Sequence, residues 1–204
     1  MTLPSLLVRI AVSAMTLGAA FVCVVSIRDG RHANAISADG ISTADAAELL
    51  ESEGPSHLMF AAANTLDPDD AAERGLAIKL LQSGLSASPY DSSALARLSY
   101  LQTREAGQLT SAAAENLQKS IEQCGFCDRE LLRWRLQFVL ENWRDTPEQI
   151  RRKVFEGAEF LRWWHSDHAF LAEARAYAKR RLIPFNQYQR AVGSQIRPHE
   201  LPDD

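Results

Sequence analysis

The chain predicts an all-α fold: an N-terminal transmembrane helix followed by stacked helical hairpins, either a solenoid of paired helices or a helical bundle. Three observations carry this. Apolar residues recur at helical spacing from "STADAAELLESEG" to "DHAFLAEARAYAKRRL", with almost no alternating β-branched run that reads as a strand. Turn signals punctuate that pattern at Gly54-Pro55, Asp67-Pro68, Ser88-Pro89, Gly107, Cys124 to Asp128, Thr146-Pro147 and Ser166-Asp167. Ahead of it, between Arg9 and Arg28, runs the charge-free stretch "IAVSAMTLGAAFVCVVSI".

As a helix those residues, 10–27, span about 27 Å at ~1.5 Å per residue, close to the ~30 Å hydrocarbon core of a bilayer. A cleaved signal usually has an apolar region of only about 7 to 15 residues. Here the small-residue triplet Ala33-Asn34-Ala35 lies beyond the charged "RDGR". Residues 1–28 are therefore expected to be an uncleaved anchor, with a signal sequence as the alternative, and both readings export the rest of the chain. Cys23 has no lipobox around it and reads as a small apolar residue.

Residues 29–42, rich in Gly, Ala and Ser without an apolar period, predict a linker. Residues 43–183 then predict the helical-repeat domain. Thr146 is placed to cap a helix beginning at Pro147, with Gln149 completing a capping box. Asp128 is placed to cap "RELLRWRLQFVLENW", whose stripe of Leu131, Trp134, Leu136, Phe138, Val139 and Trp143 is wide enough for two neighbours. Ser166 or Asp167 begins the helix carrying Phe170, Leu171, Ala174, Tyr177 and Ala178. Arg151-Arg152-Lys153, among glutamates, predicts a solvated face, and Lys179-Arg180-Arg181 a basic helix end facing the dipole. Residues 184–204, with Pro184, Pro198 and Pro202, predict an extended tail that packs back through Phe185 and Tyr188 or docks on a partner.

The spacing Ala77-x3-Leu81-x2-Gly84-x4-Pro89 resembles the second helix and closing turn of a tetratricopeptide repeat. Leu95, Leu98 and Ser99, then Gly107, then Ala113, Leu117 and Ser120 follow the next unit, so the resemblance covers about residues 57–126. A second resemblance lies in "LLRWRLQFVLENWRDTPEQIRRKVFEGAEFL". That segment is similar to the C-terminal helices of small membrane-anchored, tetratricopeptide-like proteins associated with bacterial exopolysaccharide production and export. It implies a context, with partners among envelope or polysaccharide-export proteins, while the short head before the charge-free run resembles a bacterial signal anchor and implies a single-pass inner-membrane protein with its domain in the periplasm. Repeat solenoids bind extended segments along a concave face, where Arg97, Gln102 and Arg104 are the candidate partner-binding positions.

Cys124-x-x-Cys127 is the one pattern with chemistry. Three readings stand: a disulfide that staples a turn in an oxidising compartment, a redox-active dithiol, and a zinc site completed by His165 and His168. The staple is the expectation, because no strands predict a thioredoxin-type core. Haem attachment is excluded, since Asp128 stands where His must follow. His165 and His168 otherwise read as turn residues, and Trp134, Trp143, Trp163 and Trp164 as packing, with a sugar-facing surface as the alternative. A net charge of −4 gives no basic footprint for nucleic acid. The function expected is a non-enzymatic scaffold that uses no cofactor.

Overall fold

A computed structural model describes residues 30–196, and no strand occurs among them. Residues 30–39 form α1. The other helices are Thr43–Glu51 (α2), Ser56–Thr65 (α3), Ala71–Ala87 (α4), Ser92–Ala106 (α5), Ser111–Gln123 (α6), Arg129–Glu141 (α7), Glu148–Trp163 (α8), His168–Arg180 (α9) and Phe185–Ile196 (α10). The predicted span 10–27, Cys23, Pro198 and Pro202 lie outside the described residues. Among those described, no helix is long and apolar enough to cross a membrane.

Short polar side chains fix where several helices begin, by accepting N–H groups that a first turn leaves unpaired. Ser42, Asp70, Asp91, Thr110 and Asp128 cap α2, α4, α5, α6 and α7 in turn. Thr146 departs from its predicted role. Its hydroxyl donates back to the Asn142 carbonyl at 2.8 Å, and α8 opens behind Pro147 with no side-chain cap. A hydroxyl within reach of its own preceding turn has a local alternative to capping, and here it takes it.

The helices pack as successive pairs. α3 lies on α4, α5 on α6 and α7 on α8, while α9 and α10 also meet. First members of the later pairs neighbour one another in the order α5, α7, α9, and second members in the order α6, α8, α10. Close approach within pairs depends on small residues in the second helix. A Cβ on Gly84 would stand 2.5 Å from the Phe60 ring, and one on Gly157 would stand 2.8 Å from Leu132 Cδ2. One apolar cluster fills α2 to α5, another fills the region from α6 to α10, and Tyr100 packs against both.

Three segments differ from the sequence expectation. Residues 30–39 are helical rather than a linker. Alanine supplies propensity without a stripe, Ile36 packs on the first cluster, and Gly40 at φ 79° takes the left-handed position that ends the helix. Residues 185–196 are helical rather than extended. Pro184 stands where its missing N–H costs nothing, and Phe185, Tyr188, Gln189 and Val192 have the spacing of one helix face. Packing back, the other half of that expectation, is seen: the Phe185 ring lies 4.9 Å from Phe155, and Tyr188 lies 5.0 Å from Trp143. The third is Arg151, which is only partly solvated. It lies 4.4 Å over the Trp143 ring and donates to the Trp143 carbonyl at 2.5 Å, leaving Arg152 and Lys153 on the exposed face.

At the end of α9, Lys179 and Arg180 occupy the last turn as predicted. The chain then closes through Ile183 N–H to Ala178 O (2.9 Å) and Leu182 N–H to Lys179 O (3.3 Å). That motif needs a left-handed residue, and Leu182 supplies it at φ 57° with its side chain 92% exposed. Leu182→Gly therefore relieves backbone strain and removes no packing. It is expected to stabilise the chain by about 1 kcal/mol in urea denaturation.

Candidate functional site

The cysteine turn joins α6 to α7. Cys124 and Cys127 are at disulfide distance, with Cα atoms 5.6 Å apart, and the Cys127 N–H donates to Cys124 Sγ at 3.2 Å. No strand lies beneath them among the described residues, so the setting is a helix-to-helix turn. Cys127 precedes the Asp128 carboxylate that caps α7, a negative charge that opposes thiolate formation. The alternative zinc set is not assembled. The two sulfurs engage each other, His165 packs 5.4 Å from the Phe160 ring, and His168 is an exposed first residue of α9. Among the described residues no group of three His, Cys, Asp or Glu side chains is placed to hold a metal.

Beneath the turn lies Arg135, 2% exposed. Its guanidinium donates to Ser120 O at 2.5 Å, Ser120 Oγ at 2.8 Å and Cys124 O at 2.6 Å. The Ser120 hydroxyl in turn donates to Ser92 O at 2.5 Å, tying the start of α5 into the same network. Burial pushes the Arg135 pKa down to about 10, partly opposed by the Asp128 charge, so the side chain remains a cation at neutral pH. A cation here meets the carbonyls and the negative dipole end of α6.

A second clamp holds the far side of the turn. Asp167, 4% exposed, accepts from Arg133 Nε at 2.5 Å and Nη2 at 2.7 Å, and from Arg129 Nε at 3.2 Å. It starts α9 without capping it. Hydrogen bonds from Arg133, against the cost of burial and with help from Arg129, pull its pKa from 3.8 down to about 2. The native state thus favours the carboxylate, so this stabilisation is present above pH 3.8 and is lost as pH falls toward 2. Asp167→Asn is expected to cost about 1–2 kcal/mol at pH 7, discounted for the partly exposed arginines, and to flatten the acid limb between pH 4 and 2. Thermal melts across that range measure both effects.

The three predicted partner-binding residues are not brought together. Arg97 and Arg104 share the face of α5 that meets the α3–α4 connection. Arg97 reaches Leu66 O at 3.4 Å and stands over Tyr100, its pKa lowered by burial, and Arg104 pairs with Asp69. Gln102 lies on the other side, accepting from Asn116 of α6 at 2.9 Å.

Gln102 instead belongs to a series of clefts along the second helices. The first cleft lies among α4, α5 and α6, a central one of about 410 Å³ between α6 and α8, and a third between α8 and α10. Glu122 is shared by the first two and Glu156 by the last two, so the clefts are contiguous. Ile121, Ile150 and Phe126 form the apolar walls of the central cleft. Phe126, within the cysteine turn, is 41% exposed, and its ring lies tilted with its centre 4.9 Å from that of Phe160.

Sequence reasoning missed Arg135 and this groove, and it placed Asp167 as a helix start without its pairing to Arg129 and Arg133. Arg135 offered one signal: it sits between Leu132 and Val139 on the apolar side of α7. Trp134 and Trp143 do pack on the core as expected, whereas Trp163 and Trp164 are 39% and 59% exposed. No protein-family description, curated protein or solved structure matches this chain.

Proposed function

We propose that this chain is a non-enzymatic scaffold, held at a bacterial inner membrane by residues 10–27, that binds other proteins of an envelope or polysaccharide-export assembly with a tetratricopeptide-like helical domain. The observation that carries the reading is the ordered neighbouring of α5, α7, α9 and of α6, α8, α10. Paired helices stacked in that way leave long grooves between equivalent helices, a surface suited to polypeptide recognition. The sequence resemblance supplies the envelope context, and the charge-free run supplies the tether.

Alkaline extraction of native membranes followed by chemical crosslinking tests the reading. The chain is expected to stay in the membrane pellet and to crosslink to other envelope proteins. Recovery as an untethered cytosolic species without crosslinks contradicts it.

The exposed Cys127 beside its partner sulfur favours one rival, an envelope thiol-disulfide protein. Insulin reduction by the dithiol form distinguishes the two: the scaffold shows none, and its thiols titrate only after reductant is added.

A further inference from the structure

Four second helices each present one uncommitted carboxamide to the groove: Gln82 from α4, Gln123 from α6, Gln149 from α8 and Gln187 from α10. All four residues are exposed, and none of their side-chain amides hydrogen-bonds to a described residue. A carboxamide offers both donors and an acceptor, matching the N–H and C=O of a peptide main chain whatever its side chains. The packed helices α6, α8 and α10 stand about 8–10 Å apart and an extended chain advances about 3.3 Å per residue, so along them one amide meets such a chain at roughly every third residue, with α4 facing α6 across the first cleft.

Charge on this face is balanced and mostly paired. Lys153 pairs with Glu156 at 2.9 Å and Arg152 with Glu148 at 3.0 Å, while Glu122, which no cation pairs among the described residues, is offset by Lys119 on the same helix, so the charged side chains lining the clefts balance. A charged ligand gains little from such a surface, and an uncharged one gives up little. The central cleft adds an apolar socket walled by Ile121, Ile150 and Phe126. Open aromatic faces also suit saccharides, and Tyr90, 73% exposed, lines the first cleft; the central socket, however, sets Phe126 beside the aliphatic Ile121 and Ile150, which suits a large apolar side chain better than a hydroxyl-rich ring.

The geometry points to an extended, uncharged polypeptide segment of about ten residues laid across α4, α6, α8 and α10, with one large apolar side chain in the α6–α8 socket. This inference rests on the scaffold reading and names the ligand class for it. Because Phe126 is carried by the Cys124–Cys127 turn, the socket wall and the cysteine turn are one structural unit.

The test is panning of a displayed library of random peptides, about twelve residues long, against the full chain in mild detergent. Enriched peptides are expected to hold one Leu, Ile, Met or Phe among uncharged residues. A synthetic peptide of that kind should bind about tenfold more weakly to Phe126→Ser and to Gln149→Ala, and unchanged to Glu173→Gln on the α7–α9 side. Thermal melts establish that the exposed substitutions leave the fold intact. Enrichment of charged peptides, indifference to both groove variants, or binding of a neutral glucan oligosaccharide that both variants abolish overturns the inference. Failed enrichment in a chain that still crosslinks to envelope proteins sinks the groove assignment alone; loss of both sinks the scaffold reading as well.

Discussion

Arg135→Ala is expected to destabilise the chain by about 3–5 kcal/mol in urea denaturation at pH 7. Truncation leaves the Ser120 and Cys124 carbonyls without their charged donor in a dry site, and it opens a cavity beneath the cysteine turn. Arg135→Met separates those two costs. Methionine refills much of the volume and removes a buried cation, so it is expected to recover at least ~1 kcal/mol relative to alanine while leaving the carbonyls unpaired. Equal losses in the two variants would mean that the hydrogen bonds alone hold the turn. A loss below ~1 kcal/mol for alanine would mean that Arg135 is not the anchor that fixes the end of α6.

Phe185→Ala is expected to cost a similar ~3–5 kcal/mol. The ring is 3% exposed, lies 4.9 Å from Phe155, and has the Arg175 guanidinium 5.6 Å from its centre. It is the deepest attachment of α10, supported by Tyr188, whose hydroxyl donates to the Glu148 carboxylate and holds that carboxyl below its ordinary range. Loss of Phe185 should therefore release α10 before the rest of the fold. Hydrogen exchange is the matching measurement: amides of 185–192 should lose protection while those of α5 and α6 keep it. An exposed substitution on the same helix, Arg190→Gln, is expected to change stability by less than ~0.5 kcal/mol.

These residues also show what the sequence discloses and what it withholds. Proline, glycine and capping side chains mark helix ends through local chemistry, and so Gly54-Pro55, Asp67-Pro68, Gly107 and Asp128 could be read directly. The helix α10 was hidden because prolines in 184–204 suggested an extended tail, although Pro184 occupies a position that starts helices and the Phe185, Tyr188, Val192 stripe follows it. Residues 30–39 were hidden for the opposite reason: alanine gives helical propensity but no period to detect.

Polar residues at the heart of the site were less legible still. Asp167 has the appearance of a cap, yet its carboxylate turns to Arg129 and Arg133, because two cations on α7 face it across a gap no local pattern records. Arg135 lies in a stripe that is otherwise apolar, and only the carbonyls at the end of α6 explain its burial. Arg97, Gln102 and Arg104 read in the sequence as one surface, but five residues of α-helix separate Arg97 from Gln102 by well over a quarter turn, so the three divide between two faces. The pair Cys124 and Cys127 was legible as a turn element because helical patterns flank it on both sides.

The groove along the second helices is the surface on which the functional account depends. Site-specific photo-crosslinking of the full chain in its native membrane tests it most directly, with one photoreactive residue at a time placed at Gln123, Gln149 and Gln187, and at Glu173 for comparison. The account predicts protein adducts from the three groove positions and none from Glu173. Adducts from Glu173 alone, or none from any position, would contradict it.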